Sequence, residues 1–265
     1  SPYLLCTTNM LLHDINEPNI IRGNSLEKNV REYEEDDKFD VILMNPPYGG
    51  TEKKSVQQNF PTELRDSETA DLFMVEILYR LKQNGRVGIV LPDGFLFGTD
   101  NTKIAIKKKL MEECNLHTII RLPGSIFAPY TPIATNLLFF DKTGSTKETW
   151  FYRMDLPQGY KAFSKTRPVE LKHFSDVISW WNDRKEIKDD KNDESLTDTW
   201  KSKRLLINEL KGFNYDLDQC GFPVKEEIIL SPQETMKKFI EKRESLEKEL
   251  DEKLKAIMSL IGDFK

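Results

Sequence analysis

Apolar positions along the chain alternate between helical spacing and short continuous runs. Leu4, Leu5, Leu11, Leu12 and Ile15 recur at the spacing of an amphipathic helix over residues 3–15. Asn19-Ile20-Ile21-Arg22 predicts a short strand, ended by Gly23-Asn24-Ser25. After a charged surface segment, Phe39-Asp40-Val41-Ile42-Leu43-Met44 is a run of the type that buried parallel strands carry. It stops at Asn45-Pro46-Pro47-Tyr48-Gly49-Gly50, because two prolines cannot continue a central strand. Helical spacing returns at Phe73, Ile77 and Leu81, with Met74 and Leu78 beside them, and Asn84-Gly85 is the expected end of that helix. Arg86 to Leu91 predicts a buried strand ending at Pro92-Asp93-Gly94, and Lys103 to Met111 a further helix. Thr118 to Leu122 and Asn136 to Phe140 predict strands separated by a Pro- and Gly-containing loop, with Thr149 to Tyr152 as an edge strand.

Strands alternating with helices imply an α/β fold, a mostly parallel sheet covered on both faces. The pattern weakens past residue 155, which sets the boundary of a first domain at 1–155. An irregular extension, 156–230, contains a charged linker from Asn182 to Lys203. From Ser231 to the end, 231–265, the chain predicts one long amphipathic helix. Ser231-Pro232 supplies an N-cap and a first-turn proline, and Phe239, Leu246, Leu250, Leu254, Ile257 and Ile261 form an apolar stripe.

Composition narrows this picture. No run of about 18 apolar residues is present, so the sequence predicts no membrane span, and the first residues lack the basic start of a signal peptide. Cys6, Cys114 and Cys220 have no paired spacing, which fits free thiols in a reducing cytoplasm. His13, His117 and His173 show no metal spacing, so no metal site is expected. The net charge of -5 argues against unaided grip on nucleic acid. If the substrate is DNA, a partner is expected to hold the duplex. The competing possibility is a local basic patch such as Lys107-Lys108-Lys109.

The chemistry concentrates at Asn45-Pro46-Pro47-Tyr48, at the carboxyl end of a predicted strand, the edge where open α/β sheets bind ligands. An exocyclic amino nitrogen is a poor nucleophile because its lone pair is conjugated into its ring. Two acceptors aimed at its hydrogens restore electron density to nitrogen, and the Asn45 amide oxygen and Pro46 carbonyl are candidates for that task. Fixed φ at Pro46 and Pro47 holds the carbonyls at low entropic cost, and Tyr48 offers a flat face for a flipped base. The alternative, an ordinary Asn-Pro turn, accounts less well for the preceding Asp-Val-Ile-Leu and the following Gly-Gly.

Here the sequence resembles the amino-methyltransferases that act on DNA adenine, some DNA cytosines, and some protein or RNA targets. Asn9-Met10-Leu11-Leu12-His13, Arg22-Gly23-Asn24-Ser25-Leu26, Asp71-Leu72-Phe73, Gly85 to Pro92, Leu122 to Thr131 and Asn136 to Phe140 narrow the resemblance to the modification subunits of type I restriction-modification systems. It covers residues 1–181, with an echo in Asn214-Tyr215-Asp216-Leu217. The resemblance implies a Rossmann-like methyltransferase sheet, S-adenosylmethionine as cofactor and methylation of adenine N6 in DNA. It also implies a complex of two such subunits with a specificity subunit and, for cleavage, a restriction subunit. The terminal helix then becomes the expected contact with the specificity subunit, with packing on its own sheet as the alternative.

Such enzymes carry a glycine-rich cofactor turn after the first strand, yet this sequence contains no Gly-x-Gly. The expectation is that the turn lies upstream of Ser1, so that the sheet as given lacks its first strands and leaves apolar faces uncovered. Asn24 occupies the place where the family carries an acidic group near the cofactor's adenine, and it can still accept a hydrogen bond. Asn45 and Pro46 are expected near the transferred methyl. Phe127 and Tyr130 stand where the family sets an aromatic group against the flipped base, although loop packing is the favoured explanation for them. Asp93 could bind a ligand but reads better as a turn residue before Gly94, and Trp180-Trp181 as core or interface. The rival functions are an RNA or protein-glutamine methyltransferase and a non-catalytic scaffold subunit.

Overall fold

The computed structural model describes residues 2–190, 196–224 and 231–262, apart from the side chains of Thr235, Lys238, Ala256, Ser259, Leu260, Ile261 and Gly262. The chain forms two compact units, one from residues 1–191 with 198–223, the other from 192–197 with 224–265.

The first unit opens with α1 (Pro2–Leu12), followed by irregular chain and three short 3-10 turns. Then come β1 (Phe39–Met44), α2 (Lys54–Gln57), α3 (Thr69–Arg80), β2 (Leu81–Pro92), α4 (Asp93–Phe97), α5 (Asn101–Glu113) and β3 (Asn115–Arg121). β4 (Thr135–Asp141), β5 (Glu148–Arg153), α6 (Ser175–Asn182), β6 (Ile187–Lys188), β7 (Trp200–Leu206) and α7 (Ile207–Gly212) complete it. The seven strands among the described residues join one sheet in the order β1-β2-β4-β3-β5-β7-β6.

The sheet is mixed rather than mostly parallel. β1 with β2 and β3 with β5 are parallel, while β4 runs antiparallel to both β2 and β3 and β7 runs antiparallel to β5 and β6. The reason lies in the connections: residues 122–134 carry no α-helix, so the chain cannot cross over and returns from β3 antiparallel. The strand pattern also runs past the boundary expected at 155. The expected linker 182–203 contains β6 and the start of β7, and its Asp189 carboxylate lies 2.6 Å from the Arg153 guanidinium of β5.

One sheet face carries α3 and α5. Val87, Ile89 and Leu91 of β2 point there at strand periodicity and join Leu72, Val75, Ile106 and Leu110 in the main core. Each such side chain contributes about 1.5–3 kcal/mol by leaving water. Asp100 starts α5 by accepting a hydrogen bond from Lys103 N at 2.9 Å. On the other face α6 lays Trp180 against Tyr152, with ring centroids 4.5 Å apart, and Trp181 against Phe139 at 5.0 Å. The Trp180-Trp181 pair is therefore core packing over β4 and β5.

Two local expectations are not met. Asn19 to Arg22 forms no strand, and Ile21 is 88% exposed: an extended segment needs a ladder partner, and among the described residues it pairs with none. The helix expected to end at Asn84-Gly85 ends at Arg80, because β2 already pairs with β1 from Leu81. Asn84 takes a left-handed φ of 63° at the irregularity in that pairing. β1 is an edge strand, and its outer apolar positions Val41 and Leu43 are 51% and 81% exposed.

The second unit contains α8 (Pro232–Gly262). Ser231 and Glu234 cap its start reciprocally, Glu234 N donating to Ser231 Oγ and Ser231 N to Glu234 Oε2. Phe239, Leu246, Leu250, Leu254 and Ile257 are all exposed, so the apolar stripe is real, while the Ile261 side chain lies outside the described set. Among the described residues no helix is long and apolar enough to cross a membrane.

Candidate active site

β1, β2 and β3 run in the same direction, so the segments that follow them meet at one sheet edge. After β1, Asn45 is exposed, Pro46 is buried, Pro47 is exposed and Tyr48 is half-buried. The Tyr48 hydroxyl donates to Asn45 Oδ1. An amide oxygen has a second lone pair, so Asn45 can accept another hydrogen while holding this one. Partial burial raises the Tyr48 phenol above its ordinary value, which keeps it a proton donor. Gly49 turns the chain with φ of 69°. Gly50 passes so close to Thr69 that a Cβ there would sit 2.7 Å from its Oγ1. The Thr69 amide donates to the Gly50 carbonyl at 2.9 Å, tying the loop to the start of α3.

The loop after β3 supplies the opposing wall. It is folded on itself by Ile126 N to Pro123 O at 2.9 Å and Tyr130 N to Phe127 O at 2.8 Å. Phe127 stands with its ring centroid 6.3 Å from that of Tyr48, inclined by 51°. Stacked bases in DNA lie about 3.4 Å apart, so a planar base between two parallel rings holds them about 7 Å apart. The observed pair is an ordinary tilted ring contact, so admitting a base requires the rings to turn parallel and to part slightly. Tyr130, 92% exposed, is not brought to this pair. Beside Asn45, the bare sheet surface forms a hollow of about 340 Å³ lined by Leu43, Gly88, Val90, Leu137 and Phe139 among others.

Two polar clusters, built around Asp93 and Asp71 with partners that the sequence did not point to, brace this edge. Asp93, at the start of α4, accepts from Asn136 Nδ2 at 2.6 Å and lies 3.4 Å from Arg121 Nη2. Asp218 pairs with the same guanidinium at 2.6 Å. Asp218 arrives on a loop in which Asn214 and Tyr215 both take left-handed φ, 54° and 58°, and the echo Asn214-Tyr215-Asp216-Leu217 was its one signal in the sequence. The second cluster surrounds Lys103 Nζ, 2.7 Å from Asp71 and 3.3 Å from Glu68, with Asp66 and Asp100 at 3.9 and 3.8 Å. Desolvation pushes the fully buried Asp71 carboxyl up to about 7. Burial also opposes the Lys103 charge, but the hydrogen bond to Asp71 and the surrounding carboxylates outweigh it and hold the ammonium above its ordinary value.

Of the remaining candidates, Asn24 caps a 3-10 turn, its Oδ1 accepting from Leu26 N at 3.1 Å. One lone pair of that oxygen is thereby used. Lys107 is no part of a basic patch. It is fully buried, donates to the Leu96 and Gly98 carbonyls at 2.8 Å each, and is lowered to about 8 by desolvation. Lys108 and Lys109 lie near Glu112 and Glu113. Among the described residues no group of three His, Cys, Asp or Glu side chains is placed to hold a metal ion.

The model of the N-6 DNA methylase family matches residues 1–227. The chain belongs to that family. It is 45% identical over 239 residues to the EcoEI type I methylase subunit of Escherichia coli, an alignment covering 90% of this chain and 47% of that subunit. The solved structure of a modification subunit assigned to a type I restriction enzyme from Vibrio vulnificus YJ016 superposes with a TM-score of 0.70 at 40% identity. It covers 79% of this chain and 42% of that one. A structure described for complex assembly and conformational transition of the type I R-M system gives 0.73 at 32% identity, covering 100% of this chain and 53% of that one. This family member thus spans about half the length of the EcoEI subunit it matches.

Proposed function

We propose that the chain is the catalytic part of a type I modification subunit that methylates adenine N6 in DNA, using S-adenosylmethionine in the cytoplasm. The observation that carries the reading is an exposed Asn45 amide at the end of β1, beside the paired aromatic rings of Tyr48 and Phe127 on the same sheet edge. A flipped adenine entering between the rings brings its amino group to the Asn45–Pro46 edge. Stacking on such a ring is worth roughly 1–3 kcal/mol, which offsets part of the unstacking in the duplex.

Asn45 Oδ1 and the Pro46 carbonyl then accept the two amino hydrogens, shifting electron density onto nitrogen. S-adenosylmethionine, when bound, supplies an electrophilic methyl group. Transfer of that methyl would break its bond to sulfur, which departs as a neutral thioether, while the amino nitrogen gains the N–C bond and afterwards loses one proton to solvent, so no strong base is required at this edge. The methyl-bearing end of that cofactor would lie by Asn45, which lines the apolar hollow on β1, β2 and β4. Asn24 would contribute the remaining lone pair of its amide oxygen to the adenine end. The partners in this reading are duplex DNA, a specificity subunit that selects the sequence, a second modification subunit and a restriction subunit. The exposed stripe of α8 is the surface offered to the specificity subunit.

The test is methyl transfer from tritiated S-adenosylmethionine by the complete assembly with its specificity subunit, followed by nucleoside analysis. The expected product is N6-methyladenine in duplex DNA. Label appearing instead in RNA or in a protein amide, or no transfer by an assembly that binds DNA, refutes the proposal.

A further inference from the structure

We infer that the turn Ser164–Arg167, with Lys161, forms a contact surface for the phosphate backbone of DNA beside the base pocket; this rests on the methyltransferase reading above. The chain leaves the carboxyl end of β5, which parallels β3 and so opens on the same edge as the Phe127 loop. It then folds into a tight turn: Ser164 N donates to Arg167 O at 3.0 Å, and Arg167 N to Ser164 O at 3.1 Å. The turn is fixed to the pocket wall. Phe163 N donates to Ser125 Oγ at 2.9 Å, and Phe163 is buried in the cluster on which Phe127 packs. The Tyr160, Phe163 and His173 rings stack on one another with centroids 5.3–5.8 Å apart and stiffen its base.

Charge identifies the partner. Between Leu156 and Phe174 the chain carries Lys161, Lys165, Arg167 and Lys172 against Glu170 alone, in a protein whose net charge is -5. Lys172 is taken by Glu170 at 2.8 Å. Lys161, Lys165 and Arg167 are exposed, and among the described residues none of them has a carboxylate within ion-pair distance. The Arg167 guanidinium rests over the Tyr160 ring at 5.7 Å, which orients it without neutralising it. Arg121 and Lys103, also on this edge, are held by carboxylates of the chain itself. Two unneutralised cations on a rigid turn, with Lys161 just before it, match the repeating anionic charge of a duplex, and such contacts add affinity without reading sequence.

The experiment uses the complete assembly and a fluorescein-labelled duplex containing its site, with binding followed by anisotropy across a salt series. Lys161→Ala, Lys165→Ala and Arg167→Ala are made singly and together, and melting midpoints confirm that each still folds. Each phosphate contact removed should flatten the plot of log K against log salt by roughly 0.9, and the triple variant by roughly 2 to 3. The loss should be equal on specific and unrelated duplexes. An unchanged slope in the folded triple variant overturns the inference, as does a loss confined to one DNA sequence or to duplex RNA used as competitor. Failure of the wild-type assembly to methylate DNA would instead count against the function itself, since the salt slope is measured without turnover.

Discussion

Removing the Asn45 amide gives the most direct test of the proposed chemistry. The side chain is exposed at the end of β1, and the hydrogen bond it makes is the one from Tyr48. Its loss therefore costs the fold at most about 1 kcal/mol. In the transition state the same oxygen would accept a hydrogen from a nitrogen acquiring positive charge. A preorganised polar group opposite developing charge is worth about 2.7–4 kcal/mol, or about 100- to 1000-fold in turnover. Asn45→Ala should thus lower the single-turnover methyl-transfer rate by at least about 100-fold, with duplex affinity and melting midpoint almost unchanged. Asn45→Asp keeps an oxygen in place and should be less impaired than the alanine variant. Tyr48→Phe, which frees Asn45 Oδ1 while keeping the ring, should lose less than about tenfold, the worth of one ordinary hydrogen bond. A correctly folded Asn45→Ala assembly transferring methyl within threefold of wild type would show that the amide does not activate the nucleophile.

Other expectations follow from the same geometry. Tyr48→Ala and Phe127→Ala each remove one face of the ring pair and should weaken binding of site-containing duplex by roughly 1–3 kcal/mol in a titration; Tyr130→Ala, at a fully exposed position, should have little effect. Lys103→Met leaves buried Asp71 without its cation and should destabilise the fold by about 3–5 kcal/mol in urea unfolding near neutral pH. Asp71 is already raised to about 7, so the stability it contributes is present in its protonated form at acid pH and lost as pH rises through that value. The deficit of Lys103→Met should therefore narrow between pH 8 and pH 5.5, and a constant deficit would contradict the ion-cluster account. His117 is held below its ordinary value by burial and by Arg184. Below about 6.5 the unfolded chain takes up a proton that the folded chain refuses, so stability falls on acidification. His117→Gln should flatten that part of the stability profile measured by urea melts.

The order of elements, the placement of Asn45–Tyr48 at a strand end and the amphipathic character of α8 were legible in the sequence. Each depends on local signals: a period of two or 3.6, a proline that ends a ladder, a Ser-Pro helix start. Strand direction was not legible, since β4 and β7 carry the same apolar alternation whichever way they run, and only the helix-free connection from β3 sends β4 back antiparallel. Asn19 to Arg22 looked like a strand because apolar content is local, whereas a strand exists only where another backbone accepts its hydrogen bonds. Lys107 sat in a basic run and proved to be buried, because helix geometry sends successive lysines of α5 to different faces. The pairing of Tyr48 with Phe127, and of Arg121 with Asp93 and Asp218, joins residues far apart along the chain. No local pattern encodes such meetings. They arise when β1, β2 and β3 align and bring their following loops to one edge, so the residue types were set by sequence and their assembly into a site by the sheet.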